Sequence, residues 1–133
     1  MTESENKKTV RRIYEAMNNK EIDVIESMLA DDFKYVVPST REQDWEGLKR
    51  VIAADTSGVP DAIFSIRRLV AEGDTVIAEY IWSGTHTGEY MGYPATNKRV
   101  TLPVVDIHEF EDGKVKLWID YFNTIVLEQQ LKE

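Results

Sequence analysis

Apolar residues recur at helical spacing in the N-terminal part of the chain and at alternate positions in the C-terminal part. Val10, Ile13, Tyr14 and Met17 fall at i, i+3, i+4 and i+7, the buried stripe of a helix predicted over residues 2–18. Thr2 and Glu5 have the spacing of a capping box. After Asn18 and Asn19, residues Ile22, Ile25, Met28 and Leu29 share one side of a second short helix within KEIDVIESMLA. FKYVV at 33–37 reads as a short strand by its aromatic and β-branched content, stopped by Pro38. Asp44 is placed to cap a third helix through EGLKRVIAAD, with Leu48, Val51 and Ile52 facing inward until SGVPD breaks it.

From Ala62 the period switches to two. AIFSIRRLVA, TVIAEYIWSGTHT, RVTLPVVDIHEF and KVKLWIDYFN are predicted strands, separated by the turn EGD, a loop through GEYMGYPATNK and the turn EDG. TIVLEQQL at 124–131 is predicted as a closing helix, although Thr124, Ile125 and Val126 suit a longer strand equally well. Helices followed by antiparallel strands describe an α+β domain, most simply with the helices across one face of a curved sheet. The 133 residues fit one domain, 1–133, with a core of its own.

The last strand holds the chemistry. Trp118, Asp120 and Phe122 share one face of WIDYFN, and Leu117, Ile119 and Tyr121 share the other. Both faces are apolar, so we expect helices on one side and a second copy of the chain on the other, a homodimer through the outer sheet face. A carboxylate among these aromatics must be paired or have its pKa raised by burial. The hairpin register decides its neighbours. With Asp112-Gly113 as a two-residue turn, Glu111 pairs with Lys114 and His108 lies opposite Leu117. With Gly113 in a left-handed bulge instead, His108 faces Lys116 and Asp106 faces Trp118, all on the face of Asp120. The bulged turn is preferred because it gathers the ionisable groups where they satisfy one another. On the preceding strand Val76, Ala78, Tyr80 and Trp82 form the face that would wall an aromatic cavity beside Asp120.

Composition removes several function classes. Hydrophobic content of 42% with 30% charged residues is that of a folding domain rather than a disordered chain. A formal charge of −8 argues against a nucleic-acid surface. No window has the length or apolarity of a membrane span, and MTESENKK lacks a signal-peptide core, so a cytoplasmic protein is expected. With no cysteine there is no disulfide, thiolate nucleophile or cysteine metal site, and His86 and His108 are too far apart for a helical zinc pair. No metal and no organic cofactor are expected.

The order of elements, GTHTGEYMGYPATNKRVT, DIHEFEDGK and the final W-x-D-Y-F strand together resemble the SnoaL-like polyketide cyclases of the nuclear-transport-factor-two-like superfamily. The resemblance implies a cone-shaped barrel with three N-terminal helices on the concave sheet face, a deep apolar pocket between them and dimers through the outer face. It implies ring closure by intramolecular aldol chemistry without a cofactor, with Asp120 as general acid/base and His108 nearby, while Asp106 occupies the same local motif. Tyr14, Tyr80 or His108 would hold the enolate oxygen, and Trp82, Trp118 and Phe122 would stack on a small, flat hydrophobic substrate.

WIDYFN is also similar to the W-R-D-Y-F-D strand of limonene-type epoxide hydrolases, with Ile119 and Asn123 in place of the arginine and second aspartate. Tyr80 and Trp82 stand where those hydrolases carry Arg-x-Asp, so their charged relay is missing. Ketosteroid isomerases share the fold, and Tyr14 lies where their helical tyrosine sits. A non-catalytic ligand-binding or dimerisation module is the third alternative. Structural roles compete throughout: Asp120 satisfied by backbone amides or Arg99, His108 on a partly wet sheet face, Asp106 paired with His108, His86 in a turn, and Tyr14 in core packing.

Overall fold

The computed structural model describes residues 3–38 and 40–132. Helix α1 spans Glu5–Asn19, and Ser4 caps it by accepting from the Lys7 amide at 3.2 Å. Of the predicted Thr2–Glu5 box, Thr2 lies outside the described residues, and Glu5 opens the helix. Helix α2 covers only Ile22–Ser27, because the chain turns into strand β1, Leu29–Val36, earlier than its helical spacing predicts. The cause is tertiary: Leu29 pairs with Val115, and the Val115 amide donates to the Met28 carbonyl at 3.0 Å. Six residues of helix have too little stability of their own to resist that pairing. Helix α3, Trp45–Gly58, starts where expected, with Asp44 accepting from the Gly47 amide at 3.0 Å.

Strands β2 (Ile63–Glu72), β3 (Thr75–Thr85), β4 (Arg99–Glu111) and β5 (Lys114–Phe122) follow, and helix α4, Thr124–Lys132, comes after them. Burial of Leu127 and Leu131 four residues apart settles TIVLEQQL as helix rather than strand. The sheet order is β1-β5-β4-β3-β2, antiparallel except for the parallel pair β1–β5. Along β4 every second side chain from Val100 to Phe110 is buried, and β3 buries Val76, Ala78, Tyr80 and Trp82 as its alternation predicts. The result is an α+β fold of a curved, mostly antiparallel sheet with helices. No helix among the described residues is long and apolar enough to cross a membrane.

The β4–β5 register differs from both alternatives read from the sequence. The turn is the tight two-residue one: Asp112 (φ 51°) and Gly113 (φ 79°) are both left-handed, and Glu111 pairs with Lys114. The preferred left-handed bulge at Gly113 is therefore not formed. The ladder shifts farther in, where Phe110 pairs with Val115 but Glu109 pairs with Leu117, leaving Lys116 as an extra residue in β5. Beyond this bulge His108 lies opposite Trp118 and Asp106 opposite Asp120. The ionisable groups share one face after all, through a bulge in the strand rather than in the turn.

Candidate active site

Asp106 is fully buried at the middle of β4. Three donors converge on its Oδ2: the Tyr14 hydroxyl at 2.5 Å, the Tyr80 hydroxyl at 3.0 Å and the Trp118 indole N–H at 3.0 Å. Each comes from a different element, α1, β3 and β5. Asp120 faces it across the β4–β5 ladder and accepts from the Tyr35 hydroxyl of β1 on Oδ2 at 2.7 Å. Oδ1 of each carboxyl is buried without an N–H or O–H donor among the described residues.

Burial first, then the charge of Asp120 and the hydrogen bond between the two carboxyls, push the Asp106 pKa well above the usual carboxylate range. The donors Tyr14 and Trp118 favour the Asp106 anion but are outweighed. Asp106 is thus pushed toward its protonated form, and Asp120 beside it is only half-buried and lines the cavity. Burial and the nearby carboxylates also raise the pKa values of Tyr14, Tyr80 and Tyr35, so these phenols keep their protons and donate them to the carboxyls.

The cavity beside the pair has a volume of about 480 Å³. Tyr80, Trp82, Asp106, Trp118, Asp120 and Phe122 all line it, with Phe122 partly exposed. Tyr14 and His108 do not. Ala78, opposite Asp106 on β3, leaves room for the Tyr14 ring, which packs against Tyr80 at 4.9 Å and reaches Asp106 from behind the cavity wall. His108 lies farther back: its Nδ1 is 3.2 Å from the Val76 carbonyl, which only accepts, so the proton sits on Nδ1 and Nε2 faces the Tyr14 hydroxyl at 3.2 Å. Its ring is wholly buried and burial lowers its pKa to about 4, which keeps it neutral. The pairing of Asp106 with His108 considered from sequence does not form, because Tyr14 stands between them. His86, expected in an open turn, is buried at the end of β3 with Nδ1 3.0 Å from the Thr96 hydroxyl. Among the described residues no group of three or more His, Asp or Glu side chains is arranged to hold a metal ion.

Two cavity residues escape the reading of the sequence. Tyr35 shares the inward face of FKYVV with Phe33, but its partner is 85 residues away. Asp55 lies seven residues after Leu48, on the inward stripe of α3, where position alone points to core.

A family model for SnoaL-like polyketide cyclases matches residues 7–131. The chain belongs to that family. Among solved structures, AclR of Streptomyces galilaeus, provisionally described as a hydroxylase, is 25% identical with a TM-score of 0.89 over 96% of this chain and 81% of its own. IdmH of Streptomyces antibioticus, provisionally described as a polyketide cyclase, is 23% identical with a TM-score of 0.86 over 96% of this chain and 99% of its own. A SnoaL-like polyketide cyclase of Agrobacterium tumefaciens is 18% identical with a TM-score of 0.79, covering 98% of this chain and 99% of its own. At these identities the last two describe the shared cyclase fold alone. Among curated proteins none matches the chain. In this SnoaL-like protein a pair of carboxyls held by three phenols and an indole forms one polar end of the cavity.

Proposed function

We propose that this SnoaL-like protein is a cofactor-independent acid/base enzyme acting on a small hydrophobic carbonyl compound, a cyclase or isomerase in type. The observation that carries the reading is the Asp106–Asp120 pair, two carboxyls facing each other across the β4–β5 ladder at the wall of a largely apolar cavity. In this reading the Asp120 carboxylate removes a proton α to the substrate carbonyl, and the Asp106 acid stabilises the charge this transfer moves. For ring closure the enolate carbon forms the new C–C bond to a second carbonyl of the same molecule. The resulting alkoxide takes back the proton from Asp120, so atoms and charge balance without a co-reactant. Tyr14 and His108 act through Asp106 rather than on the substrate.

Among the described residues no arginine lines this cavity, which supports the cyclase or isomerase reading over epoxide hydrolysis, a reaction that needs a stronger charged relay. An open cavity of about 480 Å³ likewise favours a ligand over a self-filled dimerisation module. We propose further that the protein works as a homodimer through the outer sheet face, where Ile77, Val105 and Tyr121 are exposed.

The test is α-proton exchange. Aryl methyl ketones and diketones are incubated with the protein in deuterated buffer, and exchange and ring closure are followed by NMR. Asp120→Asn, which preserves shape and the Tyr35 contact, is expected to lower the rate by roughly 10²-fold or more. Wild-type exchange in that variant would falsify the mechanism.

A further inference from the structure

A second cavity of about 570 Å³ adjoins the first, and the two share Met17, Ile52, Asp55, Phe64 and Trp82. Asp55 is the one ionisable group among the described residues of that shared wall. The Tyr90 hydroxyl donates to its Oδ1 at 2.6 Å, and its Oδ2 has no partner among the described residues. Asp55 is part-buried and lines both cavities, and burial raises its pKa to about 6, with the Asp120 charge adding to the effect. That dependence on Asp120 marks Asp55 as a second acidic pole of the same cavity system.

Tyr90 ties this pole to an aromatic wall. Its ring packs against Trp82 at 5.9 Å while its hydroxyl holds Asp55. The indole Nε1–H of Trp82 is buried and has no acceptor among the described residues. Gly58 makes the arrangement possible: a Cβ there would meet the Tyr90 Cβ at 2.6 Å, too close for the loop to dock. The shared wall thus presents one free carboxylate oxygen in largely apolar surroundings. A ligand hydroxyl satisfies it by donating. A cationic group suits the place less well, because Lys20 and Lys49 line the adjoining cavity.

We propose that Asp55 is a specificity-determining residue, which takes a ligand hydroxyl on Oδ2 while the carbonyl end of the same ligand lies at Asp120. The substrate class that follows is an elongated, largely apolar ketone carrying a phenol or alcohol at its far end. This rests on the acid/base reading of the Asp106–Asp120 pair for its carbonyl end, but the hydroxyl contact is measured separately.

The experiment uses matched pairs of aryl methyl ketones of increasing length, phenyl, naphthyl and biphenyl, each with and without a hydroxyl at the far end. Binding is measured by calorimetry at neutral pH with wild type, Asp55→Asn, Asp55→Leu and Asp120→Asn. In at least one pair the hydroxylated ketone is expected to bind wild type about tenfold more tightly, as a hydrogen bond to a charged group allows. Both Asp55 variants, checked for folding by circular dichroism, are expected to bring the two members within about threefold, whereas Asp120→Asn keeps the preference. Equal affinity within every pair, no measurable binding of any ketone, or a preference that survives either folded Asp55 variant overturns the proposal. A hydroxyl preference that depends on Asp55 in a protein without α-proton exchange supports it and counts against the acid/base reading alone.

Discussion

His108 illustrates how far a side chain's role follows from its depth rather than its type. The sequence offers a histidine two residues from an aspartate, which invites a catalytic pair. In the fold it is sealed behind Tyr14 and held neutral. A neutral buried histidine has a stability signature. Its pKa falls from 6.5 to about 4 on folding, so below pH 6.5 the unfolded chain takes up a proton that the folded chain refuses. The stability it contributes is complete above pH 6.5 and is lost as pH falls towards 4. The loss is about 3 kcal/mol at most. His108→Leu lacks this term but removes the hydrogen bond to the Val76 carbonyl and the fit of the buried ring, so it is expected to be destabilised at pH 7.5 by roughly 1–3 kcal/mol. Urea titrations should show that deficit shrinking between pH 7.5 and pH 4.5. A constant deficit means that His108 charges freely in the folded state.

At the scale of elements, the helix stripes and the alternation of β3 and β4 were legible because each is a local repeat that burial enforces. Tyr80, Trp82 and Asp106 could be placed on the cavity face from that repeat alone. The phase of β5 was not legible. Its tight turn obeys the local Asp-Gly signal, yet that turn alone would carry Trp118 and Asp120 to the outer face. The bulge at Lys116 restores the phase, and it answers to the burial of Trp118 and Val115 on either side rather than to any local motif. Asp55 was not legible as a cavity residue: it only ends the predicted third helix, and its Tyr90 partner is 35 residues away. Deleting Lys116 is expected to abolish the folded state or lower the melting temperature by more than about 10 °C, because every residue after the bulge changes face. Lys116→Ala, which keeps the residue count, is expected to stay within about 0.5 kcal/mol of wild type. Thermal melts of the two variants side by side make the comparison.

For the whole molecule, the outer sheet face is where surface chemistry and the proposed assembly meet. Val105 lies in the middle of it, between Glu79 on β3 and Tyr121 on β5. Sedimentation at micromolar concentration is expected to give a dimer for wild type and a monomer for Val105→Lys with an unchanged circular dichroism spectrum. A monomeric wild type removes the dimer and leaves the cavity, which is built from one chain, unaffected. The net charge of −8 does not oppose self-association at ordinary salt, since charges more than about 8–10 Å apart are largely screened.

The position of β1 at the edge of the sheet, beside β5, also governs how the molecule comes into being. During synthesis the N-terminal helices and β1 emerge without the strand that completes them. Tyr14 waits 92 residues for Asp106, and Tyr35 waits 85 for Asp120. Such long-range closures come late in folding because the chain must surrender loop entropy before the contacts repay it. The cavity, whose lining runs from Met17 to Leu127, therefore cannot be complete until the strands and the start of α4 have been made, and a ligand can be held only after that.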